Sequence, residues 1–262
     1  MELGKPKIGE LVAAVGVVLG FVALWTTVFE RAGYQYKDDG TYLTALIIAL
    51  GLAACCLAAS LLLGKVHLDL AAAAAGAVAF GLFLYQPSLL AFKFVDKFSW
   101  GAWFGFCSVL VPLGAGTAHL WHKRSDAKAS GVTLATVAAA IGLVLIVIGI
   151  WKKISVFPSI SYWNISSSGH ALGLLLLILA IASALLIAVA VTTRNAGLAD
   201  VALIVSGITV GVAIAEGVFG AFGNGFFPGG PGTGAWLELA GGLVLLISLI
   251  VSRVVKLPEL IK

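Results

Sequence analysis

This sequence predicts an all-α integral membrane protein of eight transmembrane helices, arranged as two tandem four-helix repeats. Two observations carry the prediction. Of its residues, 61% are hydrophobic and 11% charged, and the mean hydropathy is +1.09, well outside the usual composition of a soluble domain. The second observation is an internal echo. Residues 13–25, AAVGVVLGFVALW, return at 139–151 as AAIGLVLIVIGIW, an offset of 126 that Ala45-Leu46 and Ala171-Leu172 keep. Asp69 and Gly76 match Asp200 and Gly207 at 131, and Gly101-Ala102-Trp103 matches Gly234-Ala235-Trp236 at 133. Small loop insertions between copies of one unit leave such a slowly growing offset. Residues 1–126 are expected to form the first repeat and 127–262 the second.

A bilayer span needs about 20 apolar residues. Eight stretches qualify: 8–29, 42–63, 68–85, 98–121, 131–151, 171–192, 199–219 and 235–255. The first has a basic start, as a signal peptide has, but its counterpart at 131–151 is internal, so it is expected to be retained as a span. The third is the shortest and the richest in Ala. Asp69 and Asp200 stand at the starts of the third and seventh spans, where a carboxylate caps free N–H groups and complements the helix dipole.

Loop charge sets the orientation. With the N-terminus in the cytoplasm, the inner side holds Lys5, Lys7, Lys65, Lys123, Arg124, Lys128, Arg194, Arg253, Lys256 and Lys262. The outer side holds Arg31, Lys37, Lys93, Lys97, Lys152 and Lys153. Both termini are therefore expected to be cytoplasmic. An even number of spans per unit gives both copies the same orientation, related by a parallel pseudo-two-fold along the membrane normal. The loops that remain are too short for a soluble domain.

Aromatic residues are one-sided. The chain has 7 Trp, 5 Tyr and 14 Phe, and only Trp121 falls at the inner side. Interfacial Trp and Tyr normally belt both faces. Phe92, Phe94, Phe98, Trp100 and Trp103 cluster between the third and fourth spans, with Phe219, Phe222, Phe226, Phe227 and Trp236 in the equivalent place of the second unit. These loops either anchor the protein among lipid headgroups or form a contact surface for a partner or a lipid. Gly217, Gly220, Gly223 and Gly225, followed by Pro228-Gly229-Gly230-Pro231-Gly232, exclude a continuous helix through 217–234 and suggest a packed cap or a lid.

Ionisable groups inside a membrane are functional candidates because they are costly there. Glu216, in the outer third of the seventh span, is the foremost. Glu238, near the outer start of the eighth, either faces it or snorkels to the interface. His119 and His122, at i, i+3 on the inner end of the fourth span, lie at the depth of His67 and Asp69. This is a weak candidate for a metal site, and a solvated cluster is the expected reading. No metal and no cofactor are assigned. Cys55, Cys56 and Cys107 all fall within spans and are expected as small buried residues without disulfides.

The chain has no phosphate-binding G-x-x-x-x-G-K-S/T, no H-E-x-x-H, no C-x-x-C and no nucleophile elbow. With no catalytic constellation visible, it is not expected to be an enzyme. The reading that follows is a multi-pass accessory or scaffold subunit docking a membrane partner or lipid through its aromatic outer face. The alternative is a transporter or channel for a small apolar or lipid-like solute, its pathway between the repeats. Expected partners are membrane lipids and a membrane protein or a second copy, with no nucleic acid, in a plasma membrane of the bacterial inner-membrane kind.

Overall fold

A computed structural model describes residues 8–29, 34–35, 40–90, 99–122, 131–152, 167–222, 232–254 and 258–261. These residues are almost wholly helical. In chain order they form α1 (Ile8–Trp25), strands β1 (Thr27–Phe29) and β2 (Tyr34–Gln35), then α2 (Gly40–Leu63) and α3 (Val66–Leu90). There follow α4 (Trp100–Cys107), α5 (Leu110–His122), β3 (Val132–Thr133), α6 (Leu134–Ile150) and α7 (Ser167–Thr193). The last are α8 (Ala196–Phe222), α9 (Thr233–Val254) and β4 (Glu259–Ile261). Among the described residues, 7 helical segments are long and apolar enough to cross a membrane, with Trp100–Trp121 counted as one.

Four departures from the sequence expectation have physical causes. First, α1 stops at Trp25, where an extension to residue 29 is expected. Thr26 turns its hydroxyl back to the Val22 and Ala23 carbonyls, both at 3.2 Å, and Thr27–Phe29 pairs antiparallel with Tyr34–Gln35. Second, the fourth span is broken at Ser108–Val109. Pro112 has no N–H to donate to the Ser108 carbonyl, which accepts from Val111 N instead at 3.0 Å, and the helix kinks. Third, the fifth segment begins at Leu134, because Thr133 is its N-cap in a capping box with Thr136. At 17 residues α6 is roughly 25 Å long, shorter than a hydrocarbon core of about 30 Å.

The fourth departure concerns the aspartates. Asp69 lies inside the first turn of α3 and Asp200 is the fifth residue of α8, so neither is an N-cap; Asn195 takes that place for α8, its side chain accepting from Leu198 N at 3.1 Å. Of the cysteines, Cys55 is exposed and Cys56 and Cys107 are half-buried, so the expectation that they are buried does not hold.

Many large apolar side chains point outward, and small residues make up much of the inward faces. On α1 the exposed face is Ile8, Leu11, Val15, Val18, Val22 and Trp25, and the buried face includes Ala13, Gly16, Gly20 and Ala23. On α7, Leu174, Ile178, Ile181, Leu185 and Val189 form a continuous exposed stripe. Water would make this arrangement expensive. Lipid does not, and small residues inside let helix backbones approach closely. The molecule is an all-α protein whose apolar helices are compatible with insertion in a membrane.

Two compact units divide the chain, one of Met1–Pro87 with Phe94–Asp126 and the other of Ser88–Lys93 with Ala127–Lys262. In the first unit α1 packs along α5, α4 and α2 around Val17, Ala53 and Val111. The kink is seated on glycine. A Cβ on Gly16 would stand 2.7 Å from Val111 N, and one on Gly76 2.3 Å from a Val111 methyl, so neither position admits a side chain. Gly64 ends α2 in the left-handed region, φ +64°, its N–H closing on the Ser60 carbonyl at 2.8 Å.

In the second unit α6, α7, α8 and α9 each pack on the next, and α9 returns to α6. The buried Ser183 hydroxyl of α7 is hydrogen-bonded to Thr209 of α8 at 2.9 Å. Replacing Ser183 with Ala is expected to cost about 0.6 kcal/mol, the usual worth of such an interhelical bond. A reversible unfolding titration in mixed micelles measures it.

This unit also contains a feature the sequence pattern did not indicate. The β4 strand pairs antiparallel with β3, Val132 opposite Ile261 and Thr133 opposite Glu259. The Glu259 carboxylate accepts from Gly131 N at 2.9 Å and from the Arg194 guanidinium at 3.2 Å.

Candidate functional site

The aromatic end of each unit is built by antiparallel helix pairs that bring distant tryptophans to one level. In the first unit, Gly20 lies beside Ser108 and Gly16 beside Val111, so residue numbers rise along α1 as they fall along α4–α5. Trp25, at the end of α1, therefore stands level with the first turn of α4. That turn carries Trp100 and Trp103, and β1 packs against the same helix.

All three indoles are open, Trp25 at 55%, Trp100 at 71% and Trp103 at 47% exposure. Trp100 stacks on Phe104, ring centroids 5.9 Å apart, and Trp103 meets Phe106 edge-on at 5.8 Å. Paired rings hold their orientation and keep one face available. In the second unit Gly142 packs at Gly241 and Gly149 at Gly234, which puts Trp151 level with Trp236, both exposed.

The remaining proposed contact residues divide by placement. Phe92, Phe94, Phe226 and Phe227 lie outside the described residues. Phe222 closes α8, where only its backbone is described. The lid-or-cap segment 217–234 is helical to Phe222 and again from Thr233; residues 223–231 lie outside the description. The expected break at Gly217 and Gly220 is therefore not where the helix stops, since α8 runs through both.

Glu238 is wholly buried and does not snorkel. Its stem fills the notch left by Gly149, where an added Cβ would meet Glu238 Cγ at 2.6 Å. Gly242 lies against Ala213 and Ile214, so one turn back along α9 Glu238 is level with the Glu216–Gly217 stretch of the α8 backbone. The side chain of Glu216 is outside the described residues.

The inner-end histidines separate. His67 is exposed and His119 is 3% exposed, so the expected solvated cluster does not form around both. The His122 side chain is not described. Among the described residues no three His, Cys, Asp or Glu side chains converge as a metal ion requires.

Sequence reading passed over two residues that share this end with His119. Glu10 is 4% and Ser60 3% exposed, and the Ser60 hydroxyl donates to Asp69 Oδ1 at 2.6 Å. Their signal was heptad spacing: Glu10 is seven residues before Val17, and Ser60 seven after Ala53, both core positions.

In comparison with known proteins, the chain matches no family model, no curated protein and no solved structure.

Proposed function

We propose that the protein is a multi-pass membrane accessory subunit that docks a membrane partner, protein or lipid, through its outer aromatic end. The observation that carries this reading is the set of exposed indoles, Trp25, Trp100 and Trp103 in one unit and Trp151 and Trp236 in the other, each group gathered at one end of its unit. Indole is among the side chains most enriched at the energetic centre of binding interfaces, and Trp100 and Trp103 are braced by neighbouring rings.

The finer architecture we propose is two tandem four-helix repeats, 1–126 and 127–262, eight spans in all with α6 as the fifth. The burial phase supports it. Ile8, Leu11, Val15, Val18, Val22 and Trp25 are exposed, and 126 residues later so are Leu134, Val137, Ile141, Val144, Ile148 and Trp151. Ala13, Gly16, Val17 and Ala23 are buried, as are Ala139, Gly142, Leu143 and Gly149 at the same offset. Loop charge supports cytoplasmic termini, and the Ala- and Leu-rich composition supports a bacterial plasma membrane.

Purification of the full chain from its native membrane in mild detergent tests the reading. A stoichiometric protein or lipid is expected to accompany the wild type. Its yield should fall at least tenfold in a W100A/W103A/W236A variant that elutes at the same volume. Full retention in that variant sinks the docking reading.

A second reading, transport of a small apolar or lipid-like solute, is favoured by one observation, the complete burial of Glu238 within a span. Uptake by reconstituted vesicles that is lost in E238Q selects it over docking.

A further inference from the structure

The short turns after α2 and after α7 are built alike, with one residue exchanged. Gly64, directly past the end of α2, adopts the left-handed region at φ +64°. At the same place past α7 stands Arg194, with φ +52°. Among the described residues it is the one non-glycine residue with a positive φ. The Asn195 N–H closes this turn on the Ala190 carbonyl at 3.2 Å. Glycine, or sometimes asparagine, is the usual residue at such a helix end, because a Cβ is crowded there. The backbone of the turn therefore gains nothing from arginine. What the position supplies is the guanidinium.

That guanidinium reaches the Glu259 carboxylate at 3.2 Å. The other carboxylate oxygen accepts from Gly131 N at 2.9 Å, and Glu259 itself lies opposite Thr133, the N-cap of α6. One side chain thus joins three places distant in sequence: the α7–α8 turn, the approach to α6, and β4.

The strand ladder alone holds β4 poorly. β3 has two residues and β4 three, and the register shifts between their two pairs. A two-stranded ladder is marginal in isolation even when longer. Apolar burial adds little, since Pro258, Glu259 and Leu260 are all exposed. Charge-assisted bonds are the stronger kind, so those of Glu259 decide whether the strand stays in place. The pair is half open to water, Arg194 at 46% and Glu259 at 31%, which keeps its strength modest and dependent on salt.

We infer that Arg194 and Glu259 form a releasable clasp, in which the charge pair and not the ladder keeps β4 on the start of α6. When the pair is broken, β4 leaves β3, Gly131 loses its acceptor, and the capped first turn of α6 loses the strand beside it. The clasp is a conformational device of the second unit and does not rest on the docking role of the aromatic end.

Hydrogen–deuterium exchange of the full chain in phosphatidylcholine nanodiscs, resolved by mass spectrometry, tests the inference. At low salt the amides of 131–133 and 259–261 are expected to be protected. R194G gives the turn its ordinary residue and removes the guanidinium, while E259Q keeps the shape of the side chain and removes its charge. Each variant should speed exchange in both strands about three- to fivefold, the most that a partly exposed ion pair supports. High salt should do the same to the wild type. Exchange in the middle of α6 and α8 should stay as it is. Unchanged strand exchange in either variant overturns the inference, because the ladder then holds β4 by itself. So does a wild type without protection in the two strands. A rise that spreads through α6 and α8 also overturns it, since the pair is then part of the cooperative fold and not a clasp. If neither variant folds, the wild type decides: faster strand exchange at high salt supports the clasp, and unchanged exchange overturns it.

Discussion

Leucine at Gly142 is expected to separate α6 from α9 and to destabilise the second unit more than any substitution at an exposed apolar position. A Cβ at Gly142 would stand 2.8 Å from the Gly241 carbonyl oxygen and 2.9 Å from Leu245 N. The obstacle is backbone on both sides, and neither atom moves without displacing a helix. Gly241 is the reciprocal case, its Cβ 2.6 Å from the Gly142 carbonyl. Overpacking of a tight site costs about 1–3 kcal/mol, and G142L belongs at or above the top of that range because no flexible side chain yields.

Gly51 provides the control. Nothing stands within 4 Å of its Cβ position, so G51L is expected within about 1 kcal/mol of wild type and on the stabilising side, from helix propensity. Denaturant midpoints of both variants in mixed micelles check the contrast. Equal midpoints would mean that α6 and α9 do not pack through these glycines.

Alanine at Tyr42 is the second large effect. Tyr42 is 1% exposed, its ring centroid is 6.3 Å from that of Tyr85, and its hydroxyl donates to the Leu82 carbonyl. That side chain ties the start of α2 to the end of α3. Removing a buried aromatic costs about 3–5 kcal/mol in water-soluble cores. The lower end, about 3 kcal/mol, is expected here because lipid solvates apolar side chains, so that loss of packing and the cavity remain. Tyr42→Phe keeps the ring and loses one hydrogen bond, and should cost about 1 kcal/mol. The difference between the two variants, read from the same unfolding titration, separates packing from hydrogen bonding.

Much of the fold was legible because membrane helices are written in long apolar runs. The second segment, 42–63, and the eighth, 235–255, lie within two residues of α2 and α9 at each end. The misjudged ends lie where a single residue overrides hydropathy. Thr26 back-bonds and releases a hairpin, Thr133 caps α6, and Pro112 breaks the fourth span. Each is apolar enough in aggregate for a hydropathy window to run across it.

The candidate site was legible only as a list of aromatics. Trp100, Trp103 and Trp236 were singled out from the one-sidedness of the chain. Their grouping with Trp25 and Trp151 required knowing which helices run side by side. At the inner end the reading went wrong for the same reason. His67 and His119 are equally polar in sequence, and only packing makes one exposed and the other buried.

By itself, then, the sequence determined what the bilayer dictates: an almost wholly helical chain and the approximate position of its apolar segments. Lipid demands internally satisfied backbones and apolar surfaces, and both demands act locally along the chain. Tertiary structure alone decided the rest. It buried Glu10 and His119, bonded Ser60 to Asp69, seated Glu238 against Gly149, and joined β4 to β3 across more than a hundred residues. These are contacts between segments distant in sequence. Their partners are selected by helix register and by which glycines let two backbones meet, and neither is encoded in any local window.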